Sequence, residues 1–243
     1  MPKASSLVPR QPPEEGGTAF LLPLPRVVLR NQAAHVIREA ILDGHLALGS
    51  PLVEAQIARQ MGTSRAPLRE ALRTLEQEGL VVSAEHRGVT VATLGDKDIE
   101  DIYYHRAALE CFAIRRVCLQ GDAAVLANDM TERIRRIQEA ATAKDLGRAQ
   151  REDIALHEAI IRASGQSRLL RAWEQNLGQV RLALTALSQH PGYPGLHLMP
   201  VRHTPILSAL QEGDAARAEA EVYEHVVGLT VMTIQRASDE RSA

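Results

Sequence analysis

Aromatic residues are scarce in this chain, at one Trp, four Tyr and two Phe, or 3% against a hydrophobic content of 45%. The core must then be filled with Leu, Ile, Val and Ala, a composition suited to packed helices. Cysteine is almost as rare. Cys111 and Cys118 lie seven residues apart on one predicted helix, about 10 Å along its axis, which is too far for a mutual disulfide and fits a reducing compartment. No apolar run reaches the roughly 18 residues of a spanning helix, and Ala19 to Leu24 is too short and proline-broken for a signal peptide. The protein is therefore expected in the cytoplasm, with no membrane partner. An excess of charge is missing too, the formal net charge being −2 at pH 7. From Arg26 to Gly95 eight basic residues meet seven acidic ones, and the rest of the C-terminal part carries 18 basic and 21 acidic. Neither part could coat a polyanion, so any nucleic-acid binding has to come from a local basic face. There is also no HExxH, no Cys nucleophile beside a base and no Gly-rich phosphate loop, and the chain is not expected to be an enzyme.

The most informative stretch is Gly62 to Gly79. At 3.6 residues per turn Leu68, Ala71, Leu72 and Leu75 form one apolar face, while Arg65, Arg69 and Arg73 repeat at i, i+4 and i+8 on another. Ser64 suits an N-cap, Pro67 falls in the first turn, and Gly79 suits a left-handed stop. Alone, an arginine face is as easily a solvated surface as an anion-binding one. Its surroundings argue for the second. Val53 to Met61 is a short helical pattern joined through Gly62-Thr63, a turn of helix-turn-helix length. Leu80 to Val82 and Val89 to Val91 read as two strands about a turn with Gly88. An earlier helix over Val27 to Asp43 completes a winged helix-turn-helix, whose arginine face would enter a major groove while the wing follows the backbone or a minor groove.

These residues resemble a known family. Leu52-Val53-Glu54, Ile57-Ala58, the run Gly62-Thr63-Ser64-Arg65-Ala66-Pro67-Leu68-Arg69-Glu70-Ala71-Leu72, Glu78-Gly79-Leu80-Val81, Arg87-Gly88 and Val91 are similar to the DNA-binding domain of GntR-type bacterial transcription regulators. The resemblance implies that Arg65 and Arg69 read base edges, with Ser64 and Arg87 nearer the DNA backbone; Arg73, further along the helix, and Gly88 are the other DNA-binding candidates. The basic residue that relatives often carry after the glutamate of the preceding helix is replaced here by Ala55.

Six of the twelve prolines fall in residues 1–25, which lack apolar periodicity and read as a disordered tail. Residues 26–95 are then the winged domain. After Leu94-Gly95-Asp96 every segment to Arg236 has a helical period, predicting an all-α bundle over 96–238 with helices at Asp96 to Leu119, Ala123 to Ala143, Leu146 to Ala163, Arg168 to Gln189, Leu198 to Gln211 and Ala215 to Arg236. The fold class is mainly α with a small β wing.

Four bundle residues are of metal-ligating type. Asp153 and His157 share a face at i, i+4, and His203 and His225 each sit beside apolar residues at helical spacing and so face inward. Three imidazoles and a carboxylate suit zinc, or nickel or manganese; taken singly, each histidine is better explained as a partly buried, satisfied side chain. Arg106-Ala-Ala-Leu109-Glu110, Asp153-Ile-Ala-Leu156-His157, Ser164-Gly165, His203 with Gly213-Asp214, and His225 resemble the all-helical, metal-containing effector domain (FCD) of the FadR-like branch of GntR regulators. That resemblance implies a divalent ion held by Asp153, His157, His203 and His225, and a small organic acid bound by the ion and by Arg106. A salt bridge to Glu110 at i+4 explains Arg106 equally well. Relatives often have Asn where this chain has Gln166. The whole reads as a homodimeric repressor or activator on a palindromic operator, because one recognition helix spans too few base pairs for specificity. A metal sensor, and a metal-dependent enzyme carrying a DNA-binding module, are the alternatives.

Overall fold

The computed structural model describes residues 26–84 and 88–242. The expected tail, residues 1–25, and Arg87 in the wing lie outside them. The N-terminal part runs α1 (Arg26–Leu42), β1 (Pro51–Leu52), α2 (Glu54–Gln60), α3 (Arg65–Gln77), β2 (Val81–Ala84) and β3 (Gly88–Val91). Helix α3 buries Leu68, Ala71, Leu72 and Leu75, the stripe set by their spacing, and packs on α1 and α2. Gly62 and Gly79, at φ +60° and +72°, allow the chain to turn into and out of α3 in a conformation other residues adopt only under strain. Strands β2 and β3 pair antiparallel from Val81↔Val91 to Ala84↔Gly88. One strand was not foreseen. Pro51 and Leu52 pair with Thr90 and Val89, making β3 the centre of a β1-β3-β2 sheet. A two-residue strand has no periodicity to read, and its proline is tolerated because β1 is an edge.

The bundle follows as α4 (Asp96–Gln120), α5 (Ala123–Thr142), α6 (Leu146–Ala163), α7 (Ser167–Ser188), α8 (Thr204–Glu212), α9 (Ala215–Tyr223) and α10 (Leu229–Ser242). At the start of α4 the Asp98 carboxylate reaches back to accept the Gly95 N–H at 2.9 Å. Two local expectations are corrected. The single helix expected from Leu198 to Gln211 is two 3-10 turns, Leu196–Leu198 and Val201–His203, ahead of α8. Pro200 and Pro205 lack the N–H groups a continuous helix there would use. The expected helix from Ala215 to Arg236 is interrupted by a π-helical turn at Glu224–Gly228, a distortion that often marks a functional position.

The two parts share a helix. Trp173 and Leu187 of α7 are fully buried in the bundle core, yet Leu182 on the same helix is fully buried in the N-terminal core with Ile41, Leu68 and Leu80. Around it, Arg181 holds Glu39 of α1 through two bonds of 3.0 Å, and Thr185 Oγ1 donates to Leu42 O at 3.3 Å. Arg151 of α6 reaches Asp43 at 3.0 Å. The Leu94-Gly95-Asp96 passage is therefore not the sole link between the parts. No described helix is long and apolar enough to cross a membrane.

Candidate metal centre and nucleic-acid interface

Asp153 and His157 stand one turn apart on α6, His203 ends the 3-10 turn before α8, and His225 lies in the π-helical turn. One ligand atom from each of the four falls within 4.8 Å of every other. His203 Nε2 is 3.2 Å from Asp153 Oδ1 and 3.4 Å from His157 Nε2, and His157 Nε2 is 4.0 Å from Asp153 Oδ2. The imidazole centroids are 4.3–5.4 Å apart. His157 and His203 are fully buried and Asp153 is 5% exposed.

The outward-facing nitrogens decide what the inward ones can do. His157 Nδ1 is 2.5 Å from Glu110 Oε2, His203 Nδ1 is 2.8 Å from Met199 O, and His225 Nδ1 is 3.2 Å from Arg202 O. A carboxylate and two carbonyls can only accept, so each Nδ1 carries the hydrogen and donates it. In a neutral ring the Nε2 is then a bare lone pair turned inward. Two such lone pairs at 3.4 Å, with a carboxylate oxygen beside them, repel unless a proton or a metal cation lies among them. Separations of 3.2 and 3.4 Å suit neighbouring ligands about 2.0–2.1 Å from one zinc-sized ion, and outward hydrogen bonds of this kind orient metal-ligating histidines. The residues fit a divalent ion.

The charges agree. Burial, then the repulsion of His203 and His157, drives the His225 pKa well below its ordinary 6.5, and burial followed by Arg106 lowers that of His157. Both rings are therefore neutral, as ligands must be. Burial alone would raise the Asp153 carboxyl, but His203, His157 and Arg106 outweigh it and hold it far below the usual carboxylate range.

Beside this cluster is a small pocket lined by Tyr103, Arg106, Asp153, Tyr193, Arg202 and His225 among others. Arg106 lies on α4 in this lining. Its Nε donates to Glu110 Oε1 at 2.6 Å with both side chains buried, while its Nη2 is buried and unpartnered. The Tyr103 hydroxyl and Arg202 Nε are likewise buried without partners. Sequence reasoning missed Glu110 as the residue joining Arg106 to His157, although its place four residues after Arg106 was a signal. It missed Arg202, Tyr103 and Tyr193 for want of any pattern. Gln166 lies at the start of α7, outside the pocket.

On α3, Ser64, Arg65, Arg69 and Arg73 are all exposed. Ser64 occupies the N-cap position, but its side chain makes no capping bond. Arg69 pairs with Glu54 at 2.8 Å and Arg73 with Glu70 at 2.7 Å, and Arg65 is in no ion pair among the described residues. Pairs this exposed are worth about 0–1 kcal/mol and are readily exchanged for phosphate or base contacts. Gly88 opens β3 at φ +76°.

Comparison with known proteins matches two families along the chain. Residues 29–91 match the bacterial regulatory proteins of the gntR family, and residues 101–228 match the FCD domain. The probable D-xylose utilization operon transcriptional repressor of Paenarthrobacter nicotinovorans is 32% identical over 203 residues, covering 84% of this chain and 88% of that one. The gluconate operon transcriptional repressor of Bacillus subtilis is 31% identical over 157 residues, 65% of this chain and 63% of that one. Among solved structures, a GntR transcriptional regulator from Rhodococcus sp. RHA1 shares the fold with a TM-score of 0.72 at 23% identity, covering 85% of this chain and 97% of that one. Escherichia coli McbR/YncC shares it with a TM-score of 0.68 at 19% identity, covering 86% and 98%. A winged domain and an FCD bundle in one chain, matched by relatives that regulate transcription rather than catalyse reactions, place this protein in the GntR family of bacterial transcription regulators.

Proposed function

We propose that this chain is an operator-binding repressor whose DNA affinity is set by a small carboxylate bound at a metal ion in the FCD bundle. The observation that carries this reading is the convergence of one ligand atom each from Asp153, His157, His203 and His225 beside a pocket lined by Arg106, whose buried Nη2 has no partner. Asp153, His157, His203 and His225 would hold the ion, zinc by donor type, with nickel or manganese as alternatives. The ion would supply a fixed positive charge for the carboxylate. Arg106 keeps its Nε on Glu110 and would offer Nη2 to the same carboxylate as a charge-assisted donor. Relatives named for repression of D-xylose and gluconate operons support sugars or sugar acids as the metabolic setting.

On the DNA side, Arg65 and Arg69 would read guanine edges in the major groove, with Ser64, Arg73, Arg87 and Gly88 positioning the backbone. A homodimer on a palindromic operator follows from the small footprint of one α3 helix. The effector would act through α7. Leu184 lines the pocket, while the adjacent Thr185 and the nearby Leu182 and Arg181 seat α1 of the DNA-binding domain. An acid that binds two arrangements of this seat unequally shifts operator affinity by that difference.

Native mass spectrometry of full-length protein purified without chelator tests this. A dimer with one divalent ion per chain is expected, the ion being lost in His203→Ala and in His225→Ala. An unchanged metal-to-chain ratio in both variants refutes the site. Operator binding that follows added zinc with no acid present would instead make the ion itself the signal.

A further inference from the structure

The pocket has a cation that the metal reading leaves without a task. Arg202 lies in the 3-10 turn immediately before His203, and its backbone carbonyl accepts the His225 Nδ1 hydrogen. Its side chain turns into the same pocket as Arg106 and Asp153, with Nε buried and unpartnered. Its guanidinium forms no ion pair among the described residues, and Glu224 of the π-helical turn is the acidic neighbour besides Asp153 within electrostatic reach. Tyr193, from the loop after α7, lines the pocket with it.

Formal charges show what is unbalanced. Arg106 and Glu110 neutralise each other at 2.6 Å. A divalent ion less the charge of Asp153 leaves one positive charge, and Arg202 adds a second. A monocarboxylate would compensate the first and leave the half-buried Arg202 guanidinium with only the exposed Glu224, to which it makes no ion pair, as a counter-charge that Arg236 partly offsets. A ligand with two anionic groups compensates both.

We infer that Arg202, with Tyr193 beside it, is a second anion-binding element of the effector pocket, and that the ligand is a dianion carrying one carboxylate for the ion and Arg106 and another acidic group for Arg202. Its planar fork suits a second carboxylate or a phosphate. The inference rests on the metal-and-carboxylate reading above, and the two can fail separately.

The test is isothermal titration of zinc-loaded, full-length protein with acids matched in chain length: succinate against butyrate, glutarate against valerate, and L-malate against 3-hydroxybutyrate. Titrating 3-phosphoglycerate against glycerate distinguishes a phosphate from a second carboxylate. Each series is repeated with Arg202→Gln, whose zinc content is measured in parallel. The expected result is a preference of about tenfold or more for at least one dianion over its monoanionic partner, the scale of one hydrogen bond to a charged group. Arg202→Gln should retain zinc and bind the monoanion as wild type does, but lose most of the preference. Equal binding of dianions and monoanions by wild type overturns the role of Arg202 and leaves the carboxylate site standing. A preference unchanged in Arg202→Gln overturns it as well. Binding of no acid to zinc-loaded protein would bring down the carboxylate site and the Arg202 inference together.

Discussion

Replacing Glu110 by Gln separates the two jobs this carboxylate performs in the fold. Glu110 is fully buried, with Oε1 2.6 Å from Arg106 Nε and Oε2 2.5 Å from His157 Nδ1. Gln preserves the shape but has one accepting oxygen and no charge, so it can serve Arg106 or His157 but not both. Removing one partner of a buried ion pair costs about 3–5 kcal/mol. Because Gln still accepts one hydrogen bond, the lower figure of about 3 kcal/mol is expected, and at about 2–4 °C per kcal/mol that corresponds to a fall in melting temperature of about 6–12 °C. On the metal, loss of an outer hydrogen bond to a ligating imidazole typically reduces affinity about 10–100-fold. Competition for zinc with a chromophoric chelator measures the second effect, and thermal unfolding in EDTA the first. Glu158→Gln is the control, since its surface pair with Arg162 is worth less than about 1 kcal/mol. A zinc affinity within threefold of wild type would show that His157 does not depend on Glu110 for its tautomer, and the geometric account of the centre would be wrong.

Arg65→Ala should cost about 1–3 kcal/mol on operator DNA and much less on random DNA, measured by fluorescence anisotropy, whereas Arg73→Ala should weaken both alike. An equal loss on both DNAs for Arg65→Ala would remove its base-reading role. Leu182→Ala empties a fully buried position in the N-terminal core and should destabilise that domain by about 2–5 kcal/mol in denaturant titrations, although the residue belongs to a bundle helix. A loss below 1 kcal/mol would mean that α7 does not seat the domain. Arg106→Ala should keep the ion and basal operator binding but lose the response to acid, and an unshifted response midpoint would return Arg106 to the role of structural partner of Glu110. For pH, His157 and His225 have folded pKa values below the ordinary 6.5, so the unfolded chain takes up those protons first. Metal-free stability should be level above about pH 6.5 and fall as the pH drops below it. A denaturant midpoint in EDTA that rises between pH 7 and pH 5 would contradict the neutral tautomers.

Local rules wrote much of this molecule. Leu68, Ala71, Leu72 and Leu75 define the buried face of α3 through spacing alone, and Gly62, Gly79, Gly121 and Gly213 end helices or reverse the chain because a positive φ is open to them. The i, i+4 separation of Asp153 and His157 also places them on one face whatever else the chain does. Other features depend on atoms distant in sequence. Nothing near Leu182 distinguishes it from other apolar residues of α7, and only the packing of α1 and Leu80 against that helix decides that it completes a second core. The hydrogens on His157 and His225 are decided by Glu110 and Arg202, which approach from other elements, whereas that on His203 is decided by Met199 four residues before it. Breaks at Pro200, Pro205 and the π-helical turn set the directions of His203 and His225. Periodicity could name these two histidines as inward-facing, because that depends on neighbours three and four residues away. It could not bring their Nε2 atoms to a common point, nor leave Arg202 unpaired beside them, because those outcomes are fixed by how three helices meet.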